Sequence, residues 1–176
     1  MKAERSTLSS CLHISKLLSL VLLTLLSIPL ATAYAAPAPS IEVNTTGDGD
    51  NLNPNAGCDT DAAAPGEQCS LRAAIQRANA LAGEDEIRFN IPTTQPNCDA
   101  SKGNCAINLT KALPEVTASL RIVGPGADKL TVRRDTGGDY SIFNFGTGVD
   151  TATISGLTIR RGFAQVAGGG VQFLGK

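Results

Sequence analysis

The spacing of apolar residues changes three times along the chain. From Leu17 to Ala31 it is almost unbroken behind Lys2, Arg5 and Lys16, and from Gly47 to Gln68 it has no period. Between them, Ile41-Glu42-Val43-Asn44-Thr45 alternates and is rich in β-branched residues, which predicts a strand. Leu71, Ala74, Ile75 and Ala78 then recur at i, i+3, i+4 and i+7, while Arg72, Gln76 and Arg77 fall on the opposite face. That pattern predicts an amphipathic helix over 70–81, with Ser70 as N-cap, Gly83 as stop and one side laid on an apolar surface. Beyond Gly83 the period is two, in short runs set apart by Gly and Pro. The apolar positions of these runs are Ile87, Phe89 and Ile91; Ile107 and Leu109; Leu120 and Ile122; Leu130 and Val132; Ile142 and Phe143. Thr153 to Ile159 gives two strands around Gly156, and Val171 to Leu174 begins another.

Runs this short and regular predict an all-β stack. A sandwich shares the alternation. A solenoid is favoured because hydrophobic triplets run repeatedly into glycine, at Leu120 to Gly124, Thr153 to Gly156 and Leu157 to Gly162, where a rung must turn a corner.

The first apolar run has the layout of a secretion signal, with cleavage expected after Ala35 or, second, after Ala33. An uncleaved anchor is the rival reading, but the run falls short of the roughly 20 residues of a spanning helix. Cys11 precedes the run and so is no lipidation site. The expected organisation is a leader over 1–35, a linker over 36–40, a cap over 41–83 and rungs over 84–176.

Loss of the leader removes three of 15 Lys and Arg and one of 16 Asp and Glu, leaving 12 against 15 and a net charge of −3. No broad basic surface for nucleic acid or anionic lipid remains, and contact with a membrane is expected only through the leader before cleavage. The single histidine, His13, leaves with the leader, which excludes Ser-His-Asp and Cys-His mechanisms from the exported chain. Four cysteines stay, Cys58 near Cys69 and Cys98 near Cys105, and in an exported chain they read as disulfides, with local pairing favoured because each pair brackets a turn-rich loop. Zinc is the weaker alternative, because the spacings do not form Cys-x-x-Cys knuckles.

The segment Gly47 to Asn55 is dense in carboxylates and amides. Asp48, Asp50 and Asp59 are weak calcium candidates; Leu52 falls where the EF-hand template needs an oxygen, so turn chemistry is the simpler reading, and no cofactor is expected.

Cys69-Ser70-Leu71-Arg72-Ala73-Ala74-Ile75, with Ala78 to Gly83, resembles the CSLREA-type module at the start of exported bacterial right-handed parallel β-helix proteins of the pectin lyase-like fold. Val43 to Thr46, Ala112 to Val116, Ile122 to Ala127 and Ile154 to Ile159 look like that family's later landmarks in order. One departure is Ala73, where the family motif usually has Glu; a capping box with Ser70 is lost. The resemblance implies a right-handed parallel β-helix whose first rung is closed by the strand and helix of 41–83, with Leu71, Ala74, Ile75 and Ala78 facing the bore and the open strand edges covered. At roughly 20–25 residues per rung, 84–176 gives about four rungs, and the chain is expected to be the front of a longer protein.

The resemblance also makes polysaccharide lyase or glycoside hydrolase chemistry the leading enzymatic reading. Asp135, Asp139 and Asp150, with Arg133, Arg134, Arg160 and Arg161 nearby, are the carboxylates and bases on offer, although their places beside Gly and Thr at strand ends suit turns better. The favoured expectation is a non-enzymatic exported scaffold, extracellular, on the cell surface or periplasmic, that presents a flank to a polysaccharide or an extracellular protein. The alternative is the N-terminal part of such an enzyme.

Overall fold

A computed structural model describes residues 40–165 and 168–174. The expected leader, its cleavage sites and the linker up to residue 39 lie outside the described residues, as do 175 and 176. The elements are β1 (Ser40–Val43), α1 (Leu71–Ala80), β2 (Asp85–Phe89), β3 (Cys98–Asp99), β4 (Asn104–Leu109), β5 (Leu120–Val123), β6 (Leu130–Arg134), β7 (Phe143–Phe145), β8 (Ala152–Ser155), β9 (Thr158–Arg160) and β10 (Val171–Phe173). Ser40 thus belongs to the first strand rather than to a linker.

The strands form three sheets, in the orders β1-β2-β5-β8, β3-β4-β6-β9 and β10-β7, and an isolated parallel bridge from Val116 to Phe145 extends the third. Every pairing is parallel except the small β3–β4 hairpin, which brings Cys98 opposite Cys105. The chain passes from first to second to third sheet and returns, three times. Successive partners such as Ile87 and Ile122, Ile122 and Ile154, or Val132 and Ile159 lie 25 to 35 residues apart. The returns are longer than the 20–25 residues expected from sequence, so 85–174 makes three passes and not four.

Parallel register stacks like on like. Ile41, Ile87, Ile122 and Ile154 form one inward row; Ile107, Val132 and Ile159 form another; Phe145 stacks on Phe173 with ring centroids 4.7 Å apart. A fully buried isoleucine such as Ile87 or Ile122 contributes roughly 1.5–3 kcal/mol. The corner between first and second sheets is tight because Gly124 lies against Gly156, whose φ is +64°; a methyl group on Gly124 would overlap the Gly156 carbonyl.

Helix α1 begins where Ser70 Oγ accepts the Ala73 N–H at 3.0 Å and ends at Leu81, whose N–H bonds the Ala78 carbonyl, with Gly83 beyond it at φ +102°. Leu71, Ala74, Ile75 and Ala78 are buried as the spacing predicts. Arg72 is not on a solvated face: it is 2 % exposed. Its guanidinium meets both Asp48 oxygens at 2.8–3.0 Å and donates to the carbonyls of Lys111 and Ala112. At the helix's other end Asn79 Nδ2 donates to the Glu115 carbonyl and its Oδ1 accepts the Thr117 N–H. The helix is therefore tied to the first pass of chain at 110–117.

Both disulfides have the local pairing, Cys58–Cys69 and Cys98–Cys105. Restriction of the unfolded chain by such a loop contributes roughly 2–3 kcal/mol per bridge. The bonds imply an oxidising environment, and no helix among the described residues is long and apolar enough to cross a membrane.

Candidate functional site

The loop from 47 to 63 is built from its own side chains. Asn53, Asn55, Asp61 and Ala63 each donate a backbone N–H to the Asx oxygen two residues before, and the Asp59 carboxylate accepts the Gln68 N–H as well. That last bond, with the one from Asp61, holds the Asp59 carboxyl below the usual carboxylate range. The Asp50 carboxyl is held down by the hydrogen bond from Lys111, at 2.7 Å, and also accepts from Gln76. Asp48 adds the N–H and hydroxyl of Thr110, both at 2.8 Å, to its Arg72 pair. The three calcium candidates thus serve separate protein donors, and no metal-holding group of three or more His, Cys, Asp or Glu occurs among the described residues.

The lyase or hydrolase candidates are partly brought together. Arg134 Nη1 donates to Asp139 Oδ1 at 3.1 Å and to the Gly138 carbonyl, its Nε reaches the Arg161 carbonyl, and its guanidinium lies 6.0 Å from the centroid of the Tyr140 ring. Arg133 turns to the other side, where Nε meets Asn108 Oδ1 at 2.6 Å. Asp135 is exposed after β6, its N–H bonded to the Leu109 carbonyl, and Asp150 is exposed just before β8.

A cleft of about 350 Å³ opens beside the Arg134–Asp139 pair, lined by Asp139, Tyr140, Ser141, Asn144, Gln165 and Gln172. Strand alternation places its amides: Phe143 and Phe145 point inward on β7 and leave Asn144 outward, in register with Gln172 on β10. Ser141 Oγ lies within hydrogen-bond distance of the Gly168 carbonyl and of Gln172 Oε1. The Tyr140 hydroxyl sits 2.8 Å from the Leu109 carbonyl and 2.9 Å from that of Thr136, and burial pushes it above the usual phenol range. Amides and hydroxyls both donate and accept, so this lining suits a polar, uncharged, hydroxyl-rich group. Asn144, Ser141 and Gln172 carry no local sequence signal, because what brings them together is a register between strands 28 residues apart.

Asp85 was also missed. It begins β2 in the row that continues as Leu120 and Ala152, it is 1 % exposed, and neither carboxylate oxygen has a hydrogen-bond partner among the described residues. Burial pushes its carboxyl above 3.8, with the Arg77 charge pulling the other way. The folded chain therefore holds this proton to higher pH than the unfolded chain, and stability falls as pH rises through the window above 3.8. Asp85→Asn is expected to stabilise by about 1–2 kcal/mol at pH 7 and by nothing below about pH 4. Thermal unfolding at the two pH values checks this; a gain that persists in acid would show that ionisation is not its cause.

No protein-family model, curated protein or solved structure matches this chain.

Proposed function

We propose that the chain is an exported right-handed parallel β-helix scaffold, closed at its first pass by α1, that binds polysaccharide on the flank formed by its third sheet. The repeated first-second-third order of the parallel sheets supports the architecture, and parallel crossovers are right-handed in about 98 % of cases. Two disulfides and the leader-like first segment support export.

The observation that carries the binding reading is the cleft with the in-register Asn144–Gln172 amides at its centre. Hydrolysis of a glycosidic bond draws on two carboxylates; among the described lining residues the cleft has Asp139, which Arg134 holds. Binding without cleavage is the better fit. Asn144→Ala with Gln172→Ala removes two hydrogen-bonding amides worth about 0.5–1.5 kcal/mol each. The pair is expected to weaken binding about tenfold in calorimetry with the best oligosaccharide from a microarray of neutral and acidic glycans. A wild-type chain that binds no glycan, or a double variant that binds as tightly, would contradict the proposal.

A further inference from the structure

We infer that the outer face of the second sheet is an anion-recognition strip that reads carboxylate or sulfate groups of an acidic polysaccharide. This rests on the glycan reading above and names the class of glycan. Asn108, Arg133 and Arg160 are in register on β4, β6 and β9, on the side opposite the inward Ile107, Val132 and Ile159 row. Two guanidinium groups therefore stand on directly adjacent strands, about 4.8 Å apart at the backbone. Like charges opposite each other destabilise a sheet.

The first sheet handles the same problem differently. There Arg121 is in register with Glu86, and Glu86 ion-pairs with both Arg88 and Arg121. On the second sheet no carboxylate lies within ion-pair distance of Arg133, Arg160 or Arg161 among the described residues. Arg133 is half-buried, and its Nε is spent on Asn108, which fixes the guanidinium and leaves its other nitrogens for an outside acceptor. Arg160 and Arg161 are exposed.

Arg161 adds a second observation. It has φ +58°, a left-handed conformation in which glycine would be the unstrained choice, yet the position carries a cation. Its carbonyl accepts from Arg134, and Arg134 in turn reaches Asp139 at the rim of the cleft. Strip and cleft thus adjoin through one side chain. A polymer with hydroxyls in the cleft and acid groups on the strip satisfies both. Arginine's planar fork suits carboxylate and sulfate alike. Without the leader the chain carries 12 Lys and Arg against 15 Asp and Glu, so the strip is a local feature and not the extended basic surface that nucleic acid needs.

The test is binding of the full chain to alginate, which supplies carboxylates, and dextran sulfate, which supplies sulfates, with uncharged dextran and single-stranded DNA as comparators. At least one of the acidic polymers is expected to bind more tightly than dextran, with affinity that falls as NaCl is raised. Arg133→Gln and Arg160→Gln are each expected to weaken that binding about tenfold while leaving the melting temperature unchanged or higher, because the like-charge contact is relieved. Which polymer responds identifies the acid group. Equal binding of dextran and the acidic polymers, abolished by Asn144→Ala with Gln172→Ala, would overturn the strip and leave the cleft standing. No binding of any glycan would overturn both. DNA bound as tightly as the acidic polymers would overturn the assignment to a glycan.

Discussion

Asp48→Ala is expected to cost about 3–5 kcal/mol, the penalty for leaving a buried charge without its partner. Arg72 is 2 % exposed and Asp48 7 %, so neither charge can turn to water when the other is removed. Asp48 also accepts from the Thr110 N–H and hydroxyl, and those donors lose their acceptor too. The same residue thus pins three separate stretches: the turn-rich loop, the helix and the chain after β4. Urea unfolding of the wild type and the variant measures the effect. Replacement of both members by apolar residues, Asp48→Leu with Arg72→Met, is expected to recover only part of the loss: the unpaired charge is gone, but the Thr110 donors and the Lys111 and Ala112 carbonyls still lack their partners. A single variant within 1 kcal/mol of wild type would mean that the pair is solvated.

The second large effect is expected at Ile75. It has no exposed surface, lies in the middle of α1 and packs in the same cluster as Val43 and Ile87. Ile75→Asp exchanges a buried apolar side chain for a carboxylate, and the buried cation one turn before it, Arg72, is already paired with Asp48. Loss of the apolar contacts alone costs about 2–5 kcal/mol, and burial of the new polar group adds to it. The yield of folded protein is expected to collapse, with the residual protein aggregating as the strand edges beneath the helix open. Ile75→Val, which shortens the side chain by one methylene, is the control and is expected to cost about 0.5–1.5 kcal/mol. Normal yield and melting for Ile75→Asp would mean that α1 does not cover the first pass.

These two residues also mark what the sequence shows and what it hides. Ile75 was readable because the helical period is local: four apolar positions within eight residues suffice to place it. The disulfide pairs were readable for the same reason, since each closes a loop of 11 residues or fewer. Arg72 was misread because the helical wheel assigns charge to solvent, whereas its partners lie 24, 39 and 40 residues away at Asp48, Lys111 and Ala112. No local pattern encodes that meeting.

The strands follow the same division. Alternation located β2, β4, β5, β6 and β8 closely, since each keeps one face inward. It found β7 at Phe143 but took in Ile142, which is fully buried at the corner leading into the strand rather than in the pleat. The two-residue β3 is set by its antiparallel pairing with β4, at the Cys98–Cys105 bridge, and has no period to detect. The candidate site was legible only in part. Arg133, Arg134 and Asp139 stood out as charges, but the cleft and the strip are cross-strand registers, and register depends on the lengths of the loops between passes.

The most direct test of the glycan-binding proposal is a side-chain amide titration by ¹⁵N NMR of the full chain, with alginate oligomers and neutral dextran oligomers as ligands. The side-chain amides of Asn144 and Gln172 are expected to shift on saturation, together with backbone signals of Arg133 and Arg160 for the acidic ligand. Shifts confined instead to the separate cleft lined by Phe89, Ile91, Lys129 and Leu130, or none at all with either ligand, would contradict it.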